Sequence, residues 1–497
     1  MDSKKAIIIG SGVGGMAAAI RLAIQGFDVA VYDKNNLPGG KLSSFEKEGF
    51  KFDAGPSLFT QPENIEELFS LAGEQIADYF TYSPVEIACK YFYENGKIVN
   101  AYTNANMFAQ ELKEKLGESS ERVSSYLEQS KKVYNNIGTV FLNNSLHKKN
   151  TWLNKRIGKA LKTLRFTYLF NTLNEYNTKK FSSKEAVQLF NRFATYNGSN
   201  PYKAPAMLSL IPHLEQNQGT FYPHGGMINI TNALYELAKK KGVQFYFNQP
   251  VQRIIEQEGT VKGVVVNDEN IFAELIVSNA DIYFTFKNLL SDNIKANKVL
   301  KQERSSSAVI FYWGINKSFS QLELHNIFFS EDYKSEFNNI FNAHSLSEDP
   351  TVYINITSKM ESNQSPQGKE NWFVMVNAPA NTGQDWEQLK IKLRDSVLKK
   401  ISRILGENIE PLIITEHTLD PLLIEAQTTS YMGSLYGTSS NSKLAAFFRQ
   451  ANFTDSIKGL YFCGGSVHPG GGIPLCLKSA KIVSELVMEK KGSSLKY

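Results

Sequence analysis

Lys5-Ala6-Ile7-Ile8-Ile9-Gly10-Ser11-Gly12-Val13-Gly14-Gly15-Met16 reads as a buried strand, a glycine turn and the first turn of a helix. Met16 to Gln25 continues with Ala, Ile and Leu at helical spacing, and Asp28 to Tyr32 is a second strand that ends in Asp33. Gly10 permits the tight turn, Gly12 lets backbone N–H groups approach a pyrophosphate, and Gly15 lets the helix pack closely on the strand. The start of the helix adds unpaired N–H donors and a partial positive charge. Asp33, 23 residues after Gly10, stands where a carboxylate can accept from ribose hydroxyls. The glycines, the flanking elements and the acid together predict a dinucleotide-binding unit, with Ser11, Val13, Gly14 and Lys34 completing its contacts.

Working outward, Leu37-Pro38-Gly39-Gly40-Lys41-Leu42-Ser43 puts a second glycine pair just past the acid, and Phe52-Asp53-Ala54-Gly55-Pro56-Ser57 follows. The pattern resembles the flavin amine-oxidase and carotenoid-desaturase superfamily, where Gly-Gly and a basic residue contact FAD. Lys41 stands where the family usually has Arg, so a point charge replaces a bidentate fork. At the other end, Cys463-Gly464-Gly465-Ser466-Val467-His468-Pro469-Gly470-Gly471-Gly472-Ile473-Pro474-Leu475-Cys476-Leu477 reads as a glycine turn leading into a helix with Pro in its first turn. That segment resembles the C-terminal signature of bacterial carotenoid (phytoene-type) desaturases, most closely the 1-hydroxycarotenoid 3,4-desaturase branch. Tyr222-Pro223-His224-Gly225-Gly226-Met227, Val251 on its strand, and Ser278-Asn279-Ala280-Asp281 are similar to further segments of the family.

The resemblance implies an FAD-dependent enzyme that moves a hydride to the flavin and releases a proton from a neighbouring carbon. It implies cofactor contacts at Gly10–Gly15, Asp33, Lys34, Gly39–Leu42, Gly55, Pro56, Ser57, Val251, Asn279, Ala280, Asp281, Gly464, Gly465, Gly472, Ile473 and Pro474. His224 and His468 are the titratable residues that the motifs place nearest the flavin, so either is a candidate proton acceptor. A phytoene-type desaturase, a ketolase, an isomerase or a saturase would carry the same motifs. A flavin-containing, lipid-binding peripheral protein is the alternative without chemistry. An external electron acceptor is required, and no motif names it.

The rest of the chain sets the frame. At 497 residues it is too long for one core. Nucleotide-type elements recur at its start, middle and end. The predicted fold is α/β, with a discontinuous Rossmann-like FAD-binding domain of residues 1–75, 220–285 and 455–497. An α+β substrate domain (76–104 and 290–454) and a helical, membrane-facing subdomain (105–219) are inserted into it. Residues 361–370, rich in Ser, Asn, Gln and Pro, read as a loose loop. An aromatic content of 12% suits either ordinary core filling or a long apolar cavity.

Three cysteines, none in a CxxC pair, exclude a disulfide framework and point to no metal. A net charge of +5 is too small to argue for nucleic acid. It is concentrated, however, in Lys148, Lys149, Lys155, Arg156, Lys159, Lys162, Arg165, Lys179 and Lys180. These are interleaved with Trp152, Leu153, Leu161, Leu164, Phe166, Tyr168, Leu169 and Phe170. A basic stripe beside an apolar face is what a helix lying on anionic lipid needs. With no apolar run of spanning length, the expectation is a cytoplasmic protein held at the inner face of the cell membrane, taking up an apolar carotenoid there.

Overall fold

The computed structural model describes residues 4–152, 155–163, 166–443 and 449–494. Its first sheet is parallel and five-stranded, in the order Leu460–Phe462, Leu275–Ser278, Lys5–Ile9, Asp28–Tyr32, Gln244–Tyr246. Three remote parts of the chain therefore build one sheet. Both faces are covered, which is why its strands are apolar almost throughout. Ala6 and Ile8 pack against the helices Val13–Ile24, Ile228–Lys240 and Ile473–Ser494. Ile7 and Ile9 face the other way, towards Val251, Ile254 and Val264 of an antiparallel three-stranded sheet. The period-two alternation of a strand makes this sharing of one short segment between two cores possible.

A second, seven-stranded sheet runs in the order Ile413–Leu419, Ser307–Ile315, Glu370–Ala378, Val352–Asn355, His325–Phe328, Ile87–Phe92, Ile98–Tyr102. One face buries Trp313, Trp372 and Val374 under Trp386, Val397 and Ile401 of the helix Trp386–Leu405. The other face turns Ile310, Phe373 and Met375 towards a large cavity. A third region, Ala105 to Leu214, is mostly helical, with Phe181 stacked on Phe190 at 4.4 Å in its core. Its helices begin at side-chain caps: Asn104, Ser119, Ser183, and a capping box of Thr172 with Glu175.

Two expectations are corrected here. The segment 361–370 is not loose: the Glu361 carboxylate accepts from the Gly225 amide at 2.7 Å and the Tyr222 hydroxyl at 2.9 Å, and Gln364 is buried. Polar composition marked it as a loop, but Glu361, Gln364 and Ser365 turn their polar groups into the protein while Ser362, Asn363 and Gln367 stay exposed. The basic-aromatic stripe is not one continuous helix: after Phe166–Phe170 the chain bends at Asn171, and Leu173–Lys180 is a separate helix that starts at the Thr172 cap. Ile157, Ala160 and Tyr168 are buried, while Trp152 and Phe170 are 41% and 54% exposed. Leu153, Leu164 and Arg165 lie outside the described residues. Among those described, no helix is long and apolar enough to cross a membrane.

Candidate functional site

Where the two sheets meet lies a cavity of about 680 Å³. All the residues expected at the cofactor line it except Ser11 and Gly15, which sit behind the wall. Gly15 is needed for closeness: a Cβ there would stand 2.1 Å from the Gly10 carbonyl oxygen. Ser11 is fully buried and braces the turn, its amide and hydroxyl both donating to one Asp33 carboxylate oxygen at 2.7 and 2.6 Å. The second oxygen of Asp33 accepts from the Asn35 amide at 2.8 Å. Asp33 thus orders the glycine loop while also facing the cavity.

The middle of the chain stitches the first loop to the last. The Asn279 amide donates to the Cys463 carbonyl at 3.2 Å, and its side chain fills the space that a Cβ on Gly12, Gly14 or Gly464 would need. Asp281 forms a buried ion pair with Arg304 at 3.0 Å. Asp53, beside the predicted Gly55 turn, accepts from the Met227 and Ile228 amides at 3.0 and 3.3 Å. Burial pushes that carboxyl up to about 6.

The electrostatics of the wall favour an anion. Lys41 is half-buried, and its ammonium donates to the Leu435 carbonyl at 2.8 Å. Buried Arg449 donates to the carbonyls of Tyr436 and Thr438 at 2.9 and 2.8 Å. Neither pairs with a carboxylate in a salt bridge among the described residues. Desolvation pulls Lys41 down to about 8 and Arg449 to about 10. Arg449 belongs to no glycine motif, and only the fold brings it to the wall.

The two histidine candidates separate. His224 is exposed, 3.4 Å from Glu361 and outside the cavity lining. Its place in the glycine loop had put it near the flavin in sequence, but the loop turns its ring outward. His468 does line the cavity, and its Nε2 is 2.9 Å from the Asn144 carbonyl oxygen. That nitrogen must carry a proton to make the bond. Burial lowers the imidazole to about 4, so the ring is neutral and acts as a donor that holds the closing loop.

With this geometry in place, comparison with known proteins identifies the architecture. The profile of the family described as Flavin containing amine oxidoreductase matches residues 13–488. The chain belongs to that family. It is 50% identical over 484 residues, 97% of this chain and 99% of the relative, to a 1-hydroxycarotenoid 3,4-desaturase of Flavobacterium sp. (strain P99-3). It is 32% identical to a 4,4'-diapolycopene oxygenase of Methylomonas sp., across 98% of both chains. An oxidoreductase from Methanosarcina mazei shares the fold, with a TM-score of 0.63 over 98% of this chain and 100% of that one at 16% identity.

As a member of this family the protein is a flavin-dependent oxidoreductase, and its cofactor is FAD. The wall fits that group. Lys41 and Arg449 supply uncompensated positive charge for a diphosphate or an electron-rich flavin edge. Gly472, with φ +105°, has open space where a Cβ would point, at the start of the helix Ile473–Ser494.

Proposed function

We propose that this protein is an FAD-dependent carotenoid desaturase acting at C3–C4 of a 1-hydroxycarotenoid. The observation that carries the reading is identity at half of all positions, over nearly the whole of both chains, with a protein of that name. The cavity agrees with it. Beyond the glycine loops the wall is predominantly aliphatic and aromatic, with Leu142, Leu146, Ile211, Ile327, Phe373 and Met375. Such a wall suits a polyene and nothing strongly hydrated.

Bound FAD supplies the hydride acceptor. The protein's own part is placement and exclusion. The sheet face under Phe373 and Met375 sets the substrate's path, and the apolar wall keeps water from a carbon that has lost hydride. The second hydrogen leaves the adjacent carbon as a proton, made acidic by the delocalised charge, so no strong base is required. His468, already committed to Asn144, supports the loop and does not serve as that base.

A substrate that dissolves only in lipid has to be collected at a bilayer. Lys149, Lys162, Lys179 and Lys180 are exposed beside Trp152 and Phe170, while Leu169 next to Phe170 lines the cavity. This continuity between a charged apolar surface and the cavity supports docking on anionic lipid at the inner face of the cell membrane.

Expression in cells making different carotenoid precursors, with pigments separated by chromatography, tests the reaction. Loss of two hydrogens from a hydroxylated carotenoid is expected. Conversion of phytoene alone would overturn the reading, and an oxygenated product would favour an activity like that named for the Methylomonas relative.

A further inference from the structure

One side chain of the cavity wall is left unexplained by the reaction. His325 heads the strand His325–Phe328, where alternation sends His325 and Ile327 to the cavity and Phe328 to the core beneath the opposite face. The ring is 2% exposed. Its Nδ1 lies 3.1 Å from the Asn355 amide nitrogen and 2.8 Å from the Tyr353 hydroxyl. The same amide nitrogen donates to the Leu324 carbonyl at 3.1 Å, which fixes it as a donor. Nδ1 therefore accepts. Burial, helped by the charge of Arg192, holds the imidazole near 3, so the ring is neutral and its one proton sits on Nε2. That buried donor has no hydrogen-bond partner.

A buried N–H without an acceptor costs about 1–3 kcal/mol. Ile327 of the same strand and Met375 share the cavity wall with it. Nearby, Arg192 and Glu215 also line the cavity and pair through the Arg192 Nη2 at 2.9 and 3.0 Å, so that both carboxylate oxygens are taken, while the Arg192 Nε–H is a second donor without a partner. An oxygen brought in by the substrate is the missing acceptor. We infer that His325 donates, through Nε2, to the hydroxyl group at the end of a carotenoid and so selects the hydroxylated end for entry towards the flavin.

Position agrees with chemistry. In a 1-hydroxycarotenoid the oxygen sits on C1, two bonds from C3, so the group that reads it must stand close to the reacting carbons. Tyr353 links His325 to Ser57, its hydroxyl 2.8 Å from each, and Ser57 belongs to the Gly55-Pro56-Ser57 turn at the cofactor end of the cavity. The recognition group is thus two hydrogen bonds from the cofactor loop and not at the far end of the cavity. Tyr353 is a positioning residue, because it acts through the ring.

The inference rests on the desaturase reading for its substrate class, but its test reads binding and not turnover. The full chain, reconstituted with FAD, is titrated in phosphatidylcholine vesicles with a 1-hydroxycarotenoid and with the same carotenoid lacking the hydroxyl. Flavin fluorescence quenching reports binding. The wild type should prefer the hydroxylated compound about tenfold, the worth of one buried hydrogen bond. His325→Phe should lose the preference while binding the deoxy compound as before. His325→Gln, which keeps an N–H donor, should retain part of it, and Tyr353→Phe should weaken it. Equal binding of both compounds by the wild type, which needs no variant to fold, overturns the inference. So does a preference that survives in His325→Phe. Anaerobic bleaching of FAD in the same samples tests the reaction separately: preference without bleaching sinks the desaturase reading and sustains the subsite, and bleaching without preference does the reverse.

Discussion

The side-chain amide of Asn279 ties the Cys463 carbonyl, 184 residues away in sequence, to the glycine turn that opens the first helix. Neither loop could hold its shape alone, because each is glycine-rich and gains little from local side-chain packing. Asn279→Ala removes the bond and opens a gap between the loops. FAD affinity should fall about fivefold to tenfold, as expected for one hydrogen bond. Flavin fluorescence during reconstitution measures it, and unchanged affinity would count against the bracing role.

Asp33 should matter before any cofactor arrives. Asp33→Ala strands the buried Ser11 amide, at about 1–3 kcal/mol, and the part-buried Asn35 amide at a smaller cost. The apoprotein should melt several degrees lower, and FAD retention should drop with it. Ser11→Ala removes only the hydroxyl bond and should do less. A variant that loses FAD with an unaltered apoprotein melting temperature would assign Asp33 to the ribose alone.

Lys41 makes cofactor binding depend on pH. Its ammonium is held down to about 8 in the protein without ligand, below the ordinary lysine value. An anionic diphosphate or flavin edge would raise it again, so binding takes up a proton. FAD affinity should therefore be constant below about pH 8 and weaken above it, by up to tenfold per pH unit. Calorimetry in buffers of different ionisation heat reads the proton uptake, and Lys41→Met should abolish it. A pH-independent affinity in the wild type would refute the linkage.

The two motif histidines should behave differently. His224 and Glu361 are both at least partly exposed, so His224→Ala should change stability by no more than about 1 kcal/mol and leave turnover within about twofold. His468→Phe breaks the bond to Asn144 and should loosen FAD, while His468→Gln, which keeps a donor, should recover much of it. The kcat/KM profile of the wild type should show no ionisation belonging to His468 between pH 6 and about 8. Such an ionisation, lost in His468→Gln, would restore it as a base.

Docking on lipid should follow charge. Replacing Lys149, Lys162, Lys179 and Lys180 with Gln should weaken binding to anionic vesicles by about 1 kcal/mol per residue, and high salt should mimic the change. Phe170→Ser should weaken binding to neutral vesicles as well. Turnover of substrate presented in detergent should be unaffected. Vesicle sedimentation checks both, and undiminished binding in the Lys-to-Gln protein would place the membrane contact elsewhere.

The strand–turn–helix at Lys5–Ile24, the acid at Asp33 and the closing loop before Ile473 were legible because each depends on neighbours a few positions apart: alternation, a glycine where the backbone must come close, proline in the first turn of a helix. The same local rules located the strands Lys5–Ile9 and Asp28–Tyr32. Local rules also misled where composition stood in for contacts. The polar run after Glu361 read as loose, yet Glu361 anchors the Gly225 turn, and the stripe read as one helix is interrupted at Asn171.

By itself, then, the sequence determined that a dinucleotide-binding α/β unit is present, that its parts are scattered along the chain, and which glycines and acid are to be expected at its ligand. Only the tertiary structure decided that Arg449 joins Lys41 at the cavity wall, that His224 turns outward while His468 is spent on Asn144, and that His325 stands with an unpaired donor in the same wall. The difference has one cause. Backbone conformation is set largely by adjacent residues, whereas burial, charge balance and hydrogen-bond partners are set by residues hundreds of positions away that only folding brings within reach.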